Sequence, residues 1–309
     1  MLFINDKLIQ NIIKRKWLLL TTCMMMIQLT ICAQQKFENA MSQYFHNRSL
    51  LNPAFTGMDG NKLQVIQNRS WVGFDGAPVL TVITSEFNFG TNSGIGGHIF
   101  ADKSGIVYRT TGVLNYSYRI KLNNERALKL GIGFTVSSER LDNRMLDAGA
   151  VIDPVIAANI NGKPSYDGNF GILYVSNKLS IGATFFRIAE NFSKDALGNA
   201  DLILMKGGIF YHFNQKAEGE FQLKPLAMIS IYRNQPAVFD GGVQAIFNKY
   251  FNAMAVYQTT GNIRAGAGIS IGEIGEINLF YNTNHKQSTV NAQQYEFGFK
   301  LNLPTKKKD

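Results

Sequence analysis

Residues 107–122, VYRTTGVLNYSYRIKL, sort their side chains by parity. Tyr108, Leu114, Tyr116, Tyr118, Ile120 and Leu122 take one side of an extended chain, and Arg109, Thr111, Asn115, Ser117, Arg119 and Lys121 take the other. A period of two belongs to a strand, because successive Cβ atoms point to opposite faces. Residues 127–137 repeat the pattern, with Leu128, Leu130, Ile132, Phe134 and Val136 opposite Lys129, Thr135 and Ser137, and the polar Asn123–Arg126 between them reads as a turn. The same criterion predicts strands over 62–72, 79–89, 93–102, 107–122, 127–137, 165–175, 178–188, 201–213, 219–233, 236–247, 250–258, 262–271, 274–284 and 293–303, fourteen in all.

A soluble sandwich also alternates, so length has to discriminate. Most of these segments are near or above the roughly 9–11 residues that cross a bilayer at a tilt, against about five or six in an ordinary globular strand. Bacterial single-chain outer-membrane barrels have even strand counts, long loops on one rim and tight turns on the other. The predicted connectors alternate in that way: one set includes the 27 residues from Ser138 to Pro164, and the other set stays between 2 and 5 residues. In hydrocarbon an unpaired backbone group costs several kcal/mol, so a strand protein must close on itself. The expected fold is all-β, a transmembrane antiparallel up-and-down barrel of about 14 strands over residues 62–303. Gly-rich stretches at 94–97 and 266–272 suit strands that curve and pack closely. Fourteen strands lie between side-chain-filled small barrels and the 16- to 18-stranded porins, so something can plug the lumen.

Ahead of the strands, residues 1–33 place Lys7, Lys14, Arg15 and Lys16 before a mostly apolar run from Trp17 to Ile31 and end in Ile31-Cys32-Ala33. That order is a secretory signal peptide with cleavage after Ala33, and the run is too short and too interrupted for a membrane-spanning helix. Both cysteines, Cys23 and Cys32, leave with it, which excludes a disulfide scaffold, a thiolate metal site and a cysteine nucleophile. The formal charge of +9 shrinks as well: the leader holds +3 and the basic tail 304–309 holds +2, leaving 9 − 3 − 2 = +4 thinly spread. That is no nucleic-acid footprint. Charged residues are 17% against a usual ~25%, as expected where one strand face meets lipid.

Little in the sequence points to catalysis. His46, His98, His212 and His285 are far apart, and although His98 or His212 could meet a serine across the wall, their spacing does not support it. Gly94 and Gly96, like Gly266 and Gly268, sit inside alternating strands, the wrong context for a dinucleotide. No cofactor or metal is expected. Arg109, Arg119, Lys121 and Lys129 share the polar parity of two adjacent strands, either as a basic lumen wall or as bases paired with Glu86, Asp102 and other acids. The phrase NPAFTG at 52–57 reads as a Pro/Gly turn, and residues 34–61 either plug the pore, face a periplasmic partner or form a plain tether. The loop 138–164 carries Leu141, Met145, Leu146, Val151, Ile152, Val155 and Ile156, more apolar surface than a solvated loop needs.

The opening FENAMSQYFHNRSLLNPAFTGMDG (37–60), followed by NRSWVGFDGAP (68–78), resembles the start of the PorP/SprF family of type IX secretion membrane proteins. The likeness continues through 165–186, 221–236 and the closing YEFGFKLNL at 295–303. Ser70-Trp71-Val72 departs from the family's Gln-Trp-Pro, and Ile188-Ala189-Glu190 from its Pro-Asn after the seventh strand. The last strand is also similar to the signal read by the barrel-insertion machinery, with Glu296, Gly298, Leu301 and Leu303.

This resemblance implies a non-catalytic component of a Gram-negative outer membrane that delivers or anchors adhesin-type surface proteins bearing a type IX C-terminal sorting domain, and supports gliding motility. Its implied partners are outer-membrane lipid, those surface proteins, and the periplasmic ring and lipoproteins of the apparatus. Outer loops would hold cargo, and residues 34–61 with the short turns would face the machinery. The motif residues Asn52, Pro53, Ala54, Gly57, Arg69, Trp71, Gly73, Phe74 and Pro78 are the candidate partner contacts. A passive channel or transporter, and a barrel lipid hydrolase, are the alternatives.

Overall fold

Each alternating segment pairs with the next in an antiparallel ladder, and the last pairs with the first, so the sheet has no edge. The strands are β1 (Lys62–Ser70), β2 (Val79–Phe89), β3 (Ser93–Ser104), β4 (Val107–Lys121), β5 (Ala127–Leu141), β6 (Ser165–Val175) and β7 (Leu179–Phe185). They continue as β8 (Ile203–Tyr211), β9 (Phe221–Tyr232), β10 (Val238–Phe247), β11 (Phe251–Gln258), β12 (Ile263–Ile271), β13 (Gly275–Thr283) and β14 (Gln294–Asn302). Closure runs from Lys62↔Asn302 to Ser70↔Gln294 without a break. This computed structural model describes residues 42–141, 164–192, 203–213, 221–233, 235–283 and 293–304. The leader, residues 34–41, nearly all of the long apolar loop, His285 and the tail beyond residue 304 lie outside the described residues.

Parity decides what each side chain meets. In β1, Leu63 and Val65 are exposed outward while Lys62, Gln64, Ile66, Asn68 and Ser70 are buried inward. The outward set on other strands is equally apolar, with Ile99, Leu114, Ile132, Phe239 and Leu279 each about half exposed. Such a surface is stable only against hydrocarbon, and closure leaves lipid no unpaired strand edge.

The core sits inside the cylinder. Residues 42–61 run through the lumen in two 3-10 turns, Arg48–Leu50 and Pro53–Phe55. Tyr44, Ala54 and Phe55 pack there against inward Leu173, Phe210, Leu226, Met228 and Val256. A second group joins Leu50 to Ile66, Leu80 and Val82. The inner face is therefore mixed rather than uniformly polar, because it packs against chain as well as water.

Several strand ends differ from the sequence expectation by two or more residues, among them the end of β3 at Ser104, and three have a clear local cause. β1 stops at Ser70 because Trp71 adopts a left-handed backbone, φ +54°. β5 continues to Leu141 because Ser138–Leu141 pair with Val107–Thr110, and Arg109 ion-pairs with Glu139 at 2.5 Å. β7 ends at Phe185 because the left-handed Arg187 turns the chain into a short helix, α1 (Ile188–Phe192). Asp167 of β6 accepts the first-turn N–H groups of Ala189 (2.9 Å) and Glu190 (3.3 Å), satisfying donors that have no partner within the helix.

Candidate functional site

The luminal segment is fixed to the wall by buried acids. Glu296 of β14 accepts from Ser42 N (2.9 and 3.1 Å), Gln43 Nε2 (2.7 Å) and, from the wall, Asn68 Nδ2 (3.1 Å). Glu86 of β2 accepts from Ser49 Oγ (2.6 Å) and Gly57 N (2.9 Å), and pairs with the buried Lys62 Nζ at 3.2 Å. Glu276 of β13 meets His46 Nδ1 at 3.0 Å and also bonds Lys300. Hydrogen bonds to charged groups are the stronger kind, about 1.5–3 kcal/mol each, and one acid in each of three wall strands holds the segment. Tyr44 adds contacts to Asp240 (3.3 Å) and Arg264, and Asn47 Nδ2 donates to Gln64 (2.9 Å) and Thr84 (2.8 Å).

The NPAFTG phrase fits a run of wall glycines. Asn52 accepts from Ala54 N at 2.8 Å, closing the 3-10 turn, while its Nδ2 donates to Ile172 O (3.2 Å) and Ala183 O (3.1 Å). A methyl group on Gly131 would lie 2.2 Å from Ala54 N, one on Gly171 2.0 Å from Asn52 Oδ1, and one on Gly94 2.3 Å from Thr56 O. Only glycine lets the wall approach this backbone so closely. Gly57, at φ +68°, reverses the chain where Gly94 leaves no room for a side chain. Thr56 O accepts from Ser117 Oγ at 2.7 Å and from Lys129 Nζ at 3.4 Å.

The segment starts toward the long-loop rim, with Ser42 Oγ donating to Asn282 at 2.9 Å, and reaches the short-turn rim at Arg48 and Asp59. Burial opposes ionisation of Asp59, but the Arg48 guanidinium at 2.6 Å and the Lys62 ammonium at 3.6 Å outweigh it and hold the carboxyl well below its ordinary range. Beside this cluster a cavity of about 200 Å³ is lined by Phe45, His46, Arg48, His212, Lys224 and Lys300, among others.

The motif residues divide between two places. Asn52, Pro53, Ala54 and Gly57 are buried in the lumen. Arg69 is exposed on the outer face of β1, and Trp71, Gly73, Phe74 and Pro78 belong to the β1–β2 loop, where Val72 and Phe74 are more than half exposed. That loop is tied down by Trp71 N donating to Gln293 O (2.9 Å) and Ser70 N to Pro78 O (3.0 Å).

The four bases do not form one cluster. Arg109 pairs with Glu139 at the long-loop end of β4, whereas Arg119 sits opposite Lys129 near the short-turn end and Lys121 lies beyond them. Only Lys129 is buried and touches the luminal segment. Glu86 turns instead to Lys62.

His98 Nε2 meets Asn115 Nδ2 at 2.7 Å, and no serine bonds it among the described residues. His212 lines the cavity. No group of three His, Cys, Asp or Glu side chains able to hold a metal occurs among the described residues. Glu86 and Glu276 were missed as anchors from the sequence, because parity marks them only as inward-facing and cannot reveal a partner some 20 or more residues away in the chain.

A closed, all-antiparallel cylinder with an apolar outside and a filled inside defines a membrane β-barrel. Its fold is similar to the CymD monoaromatic hydrocarbon channel (13% identity, TM-score 0.51, covering 89% of this chain and 95% of that one). It is also similar to the toluene transporter TbuX of Ralstonia pickettii (12% identity, TM-score 0.52, covering 82% and 93%). No curated protein matches the chain. Residues 33–300 match the family described as type IX secretion system membrane protein PorP/SprF, and the chain belongs to that family.

Proposed function

We propose that the protein is a non-catalytic component of the type IX secretion system in the outer membrane of a Gram-negative bacterium. In this reading it delivers or anchors adhesin-type surface proteins that carry a C-terminal sorting domain, and so supports gliding. The family membership supports the secretion role, and the barrel form supports the location. The family membership supports the non-catalytic part. The observation that carries the non-conducting part is the lumen: residues 42–61 run through it and are bonded to the wall through Glu86, Glu276 and Glu296.

The long-loop rim then faces the cell exterior. There the β1–β2 loop presents Val72 and Phe74 as an apolar contact for cargo. The short-turn rim, with Asp59 and the turns at 122–126 and 272–274, faces the periplasmic ring and lipoproteins. Deleting the gene should leave the matched adhesin unsecreted or shed into the medium, and a Val72→Ser/Phe74→Ser variant should reproduce that loss while still inserting. An adhesin that stays at normal surface density in the deletion strain would refute the role.

The fold likeness to hydrocarbon channels favours a passive channel as the second reading. It predicts steady conductance from the unaltered protein in planar bilayers, where a closed secretion partner passes almost none.

A further inference from the structure

The cavity of about 200 Å³ opens at the short-turn mouth of the cylinder. One side of it is built by β8–β10. Phe210 pairs with Leu226 and Phe213 bridges Leu223, so His212 falls opposite Lys224 between those two pairs, and Lys224 in turn stands opposite Gln244. Phe210 and Leu226 are buried in the core. Residues two positions along a strand share its face, which turns His212 and Lys224 inward as well. His212, Lys224 and Gln244 all line the cavity, together with His46, Arg48 and Asp59 of the luminal segment and Lys62 and Lys300 of β1 and β14.

The charges gathered here do not balance. Asp59 pairs with Arg48 and Lys62, Glu86 with Lys62, and Glu276 with Lys300. With histidines taken as neutral at pH 7, four bases meet three acids, and the surplus charge falls on Lys224. Among the described residues neither its ammonium nor the His212 ring has a hydrogen-bond or ion-pair partner. His212 lies just beyond β8, where burial, with the Lys224 and Arg48 charges adding to it, lowers its pKa to about 4. The ring is therefore neutral at pH 7 and offers one N–H. Arg48 gives Nη2 to Asp59 and sets its guanidinium 4.8 Å from the Phe55 ring centre, and its other N–H groups have no acceptor among the described residues.

A half-buried ammonium without a counter-charge is costly, so the complement of this cavity is an anion. A single negative charge cancels the surplus, whereas a phosphate group, at about −1.5 to −2 near pH 7, overshoots it. A carboxylate carries one charge and two oxygens whose lone pairs can serve an ammonium, an imidazole N–H and a guanidinium N–H together.

We infer that this cavity is a carboxylate-binding site, in which Lys224 and His212 of the wall and Arg48 of the luminal segment receive an acidic side chain of a periplasmic protein. The periplasmic source rests on the proposed function, which puts the short-turn rim in the periplasm; the carboxylate chemistry rests on the cavity alone. An occupant held from both sides also ties the luminal segment to β8 and β9.

The test uses the purified full-length barrel in neutral detergent with nitrogen-15-labelled histidines, and follows the His212 ring signal, assigned by its loss in His212→Gln. The probes are acetyl-Gly-Glu-Gly-amide, its Gln counterpart and inorganic phosphate. The Glu peptide is expected to shift the His212 signal saturably, at least tenfold more tightly than either other probe. Lys224→Gln should weaken that binding at least tenfold with the His98 signal unmoved, and Lys224→Arg should restore it. Lys249→Gln, exposed on the β10–β11 turn outside the cavity, should bind as the parent does.

Equal binding of the Gln peptide, tighter binding of phosphate, or undiminished binding by Lys224→Gln overturns the inference. The source is read separately in cells from Lys178→Cys, on the exposed β6–β7 turn of the same rim, with a membrane-impermeant maleimide, since the chain's own cysteines lie in the leader. Labelling is expected only after the outer membrane is permeabilised. That labelling without a Glu-peptide preference sinks the site and leaves the orientation standing, whereas labelling of intact cells sinks the periplasmic source and the proposed orientation with it.

Discussion

The seating of the NPAFTG turn against the wall makes Gly131→Ala the most informative single change. Its added methyl would lie 2.2 Å from Ala54 N and 2.4 Å from Pro53 C, an ångström or more inside the ordinary contact distance of 3.4 Å. These are backbone atoms, which cannot swing away as a side-chain tip does. Overpacking of this kind costs about 1–3 kcal/mol, and here it falls on the docked state of the turn. Three neutral hydrogen bonds oppose release, Asn52 Nδ2 to Ile172 O and Ala183 O and Ser117 Oγ to Thr56 O, while Lys129 Nζ to Thr56 O and Gly57 N to Glu86 separately hold the end of the phrase. At about 1 kcal/mol net each the three neutral bonds contribute roughly 3 kcal/mol, the same size as the strain, so release falls on Asn52–Phe55 while Thr56 and Gly57 stay held.

A strain near 3 kcal/mol shifts the docked population on the order of a hundredfold. Gly131→Ala should therefore insert normally, conduct intermittently in planar bilayers and expose residues 52–55 to protease. Gly241→Ala, where an added methyl meets nothing within 4 Å, is the control and should behave as the parent does. Gly171→Ala, which meets chiefly the Asn52 side chain, should give a weaker effect. If Gly131→Ala is as closed and as protease-resistant as the parent, the close approach of β5 to this turn is wrong.

Removing the acid in Glu86→Gln leaves the buried Lys62 with Asp59 at 3.6 Å as its remaining acid and should cost about 1.5–3 kcal/mol, the worth of a charged hydrogen bond, seen as a lower unfolding temperature in detergent. Adding Lys62→Met should recover part of that loss, and additive losses would refute the pairing. Asp59 has a depressed folded pKa, so its contribution is present above the ordinary carboxylate pKa, near 4, and is lost only as pH falls through the lower folded value. Its carboxyl carbon resonance should accordingly stay flat from pH 7 to 4, and a midpoint near 4 would contradict the Arg48–Asp59–Lys62 cluster. Asp167→Ala removes the acceptor for Ala189 N and Glu190 N and should cost about 1 kcal/mol locally, read as faster amide exchange in α1 with the barrel ladder unchanged.

Alternation alone determined the wall of this protein. A period of two sustained over Tyr108–Ile120 or Leu128–Val136 admits one lipid-facing and one lumen-facing side, and hydrocarbon then requires closure, so strand number and parity follow from the chain. The NPAFTG phrase was also visible, and its resemblance to one family pointed to the right membership. Local chemistry moved the ends: a left-handed Trp71 and Arg187, and the Arg109–Glu139 pair, are outcomes of neighbours that periodicity does not register.

What fills the cylinder was decided only by the tertiary structure. Glu296 and Ser42 are 254 residues apart, and Gly131 meets Ala54 across the lumen; neither contact leaves a periodic trace in sequence.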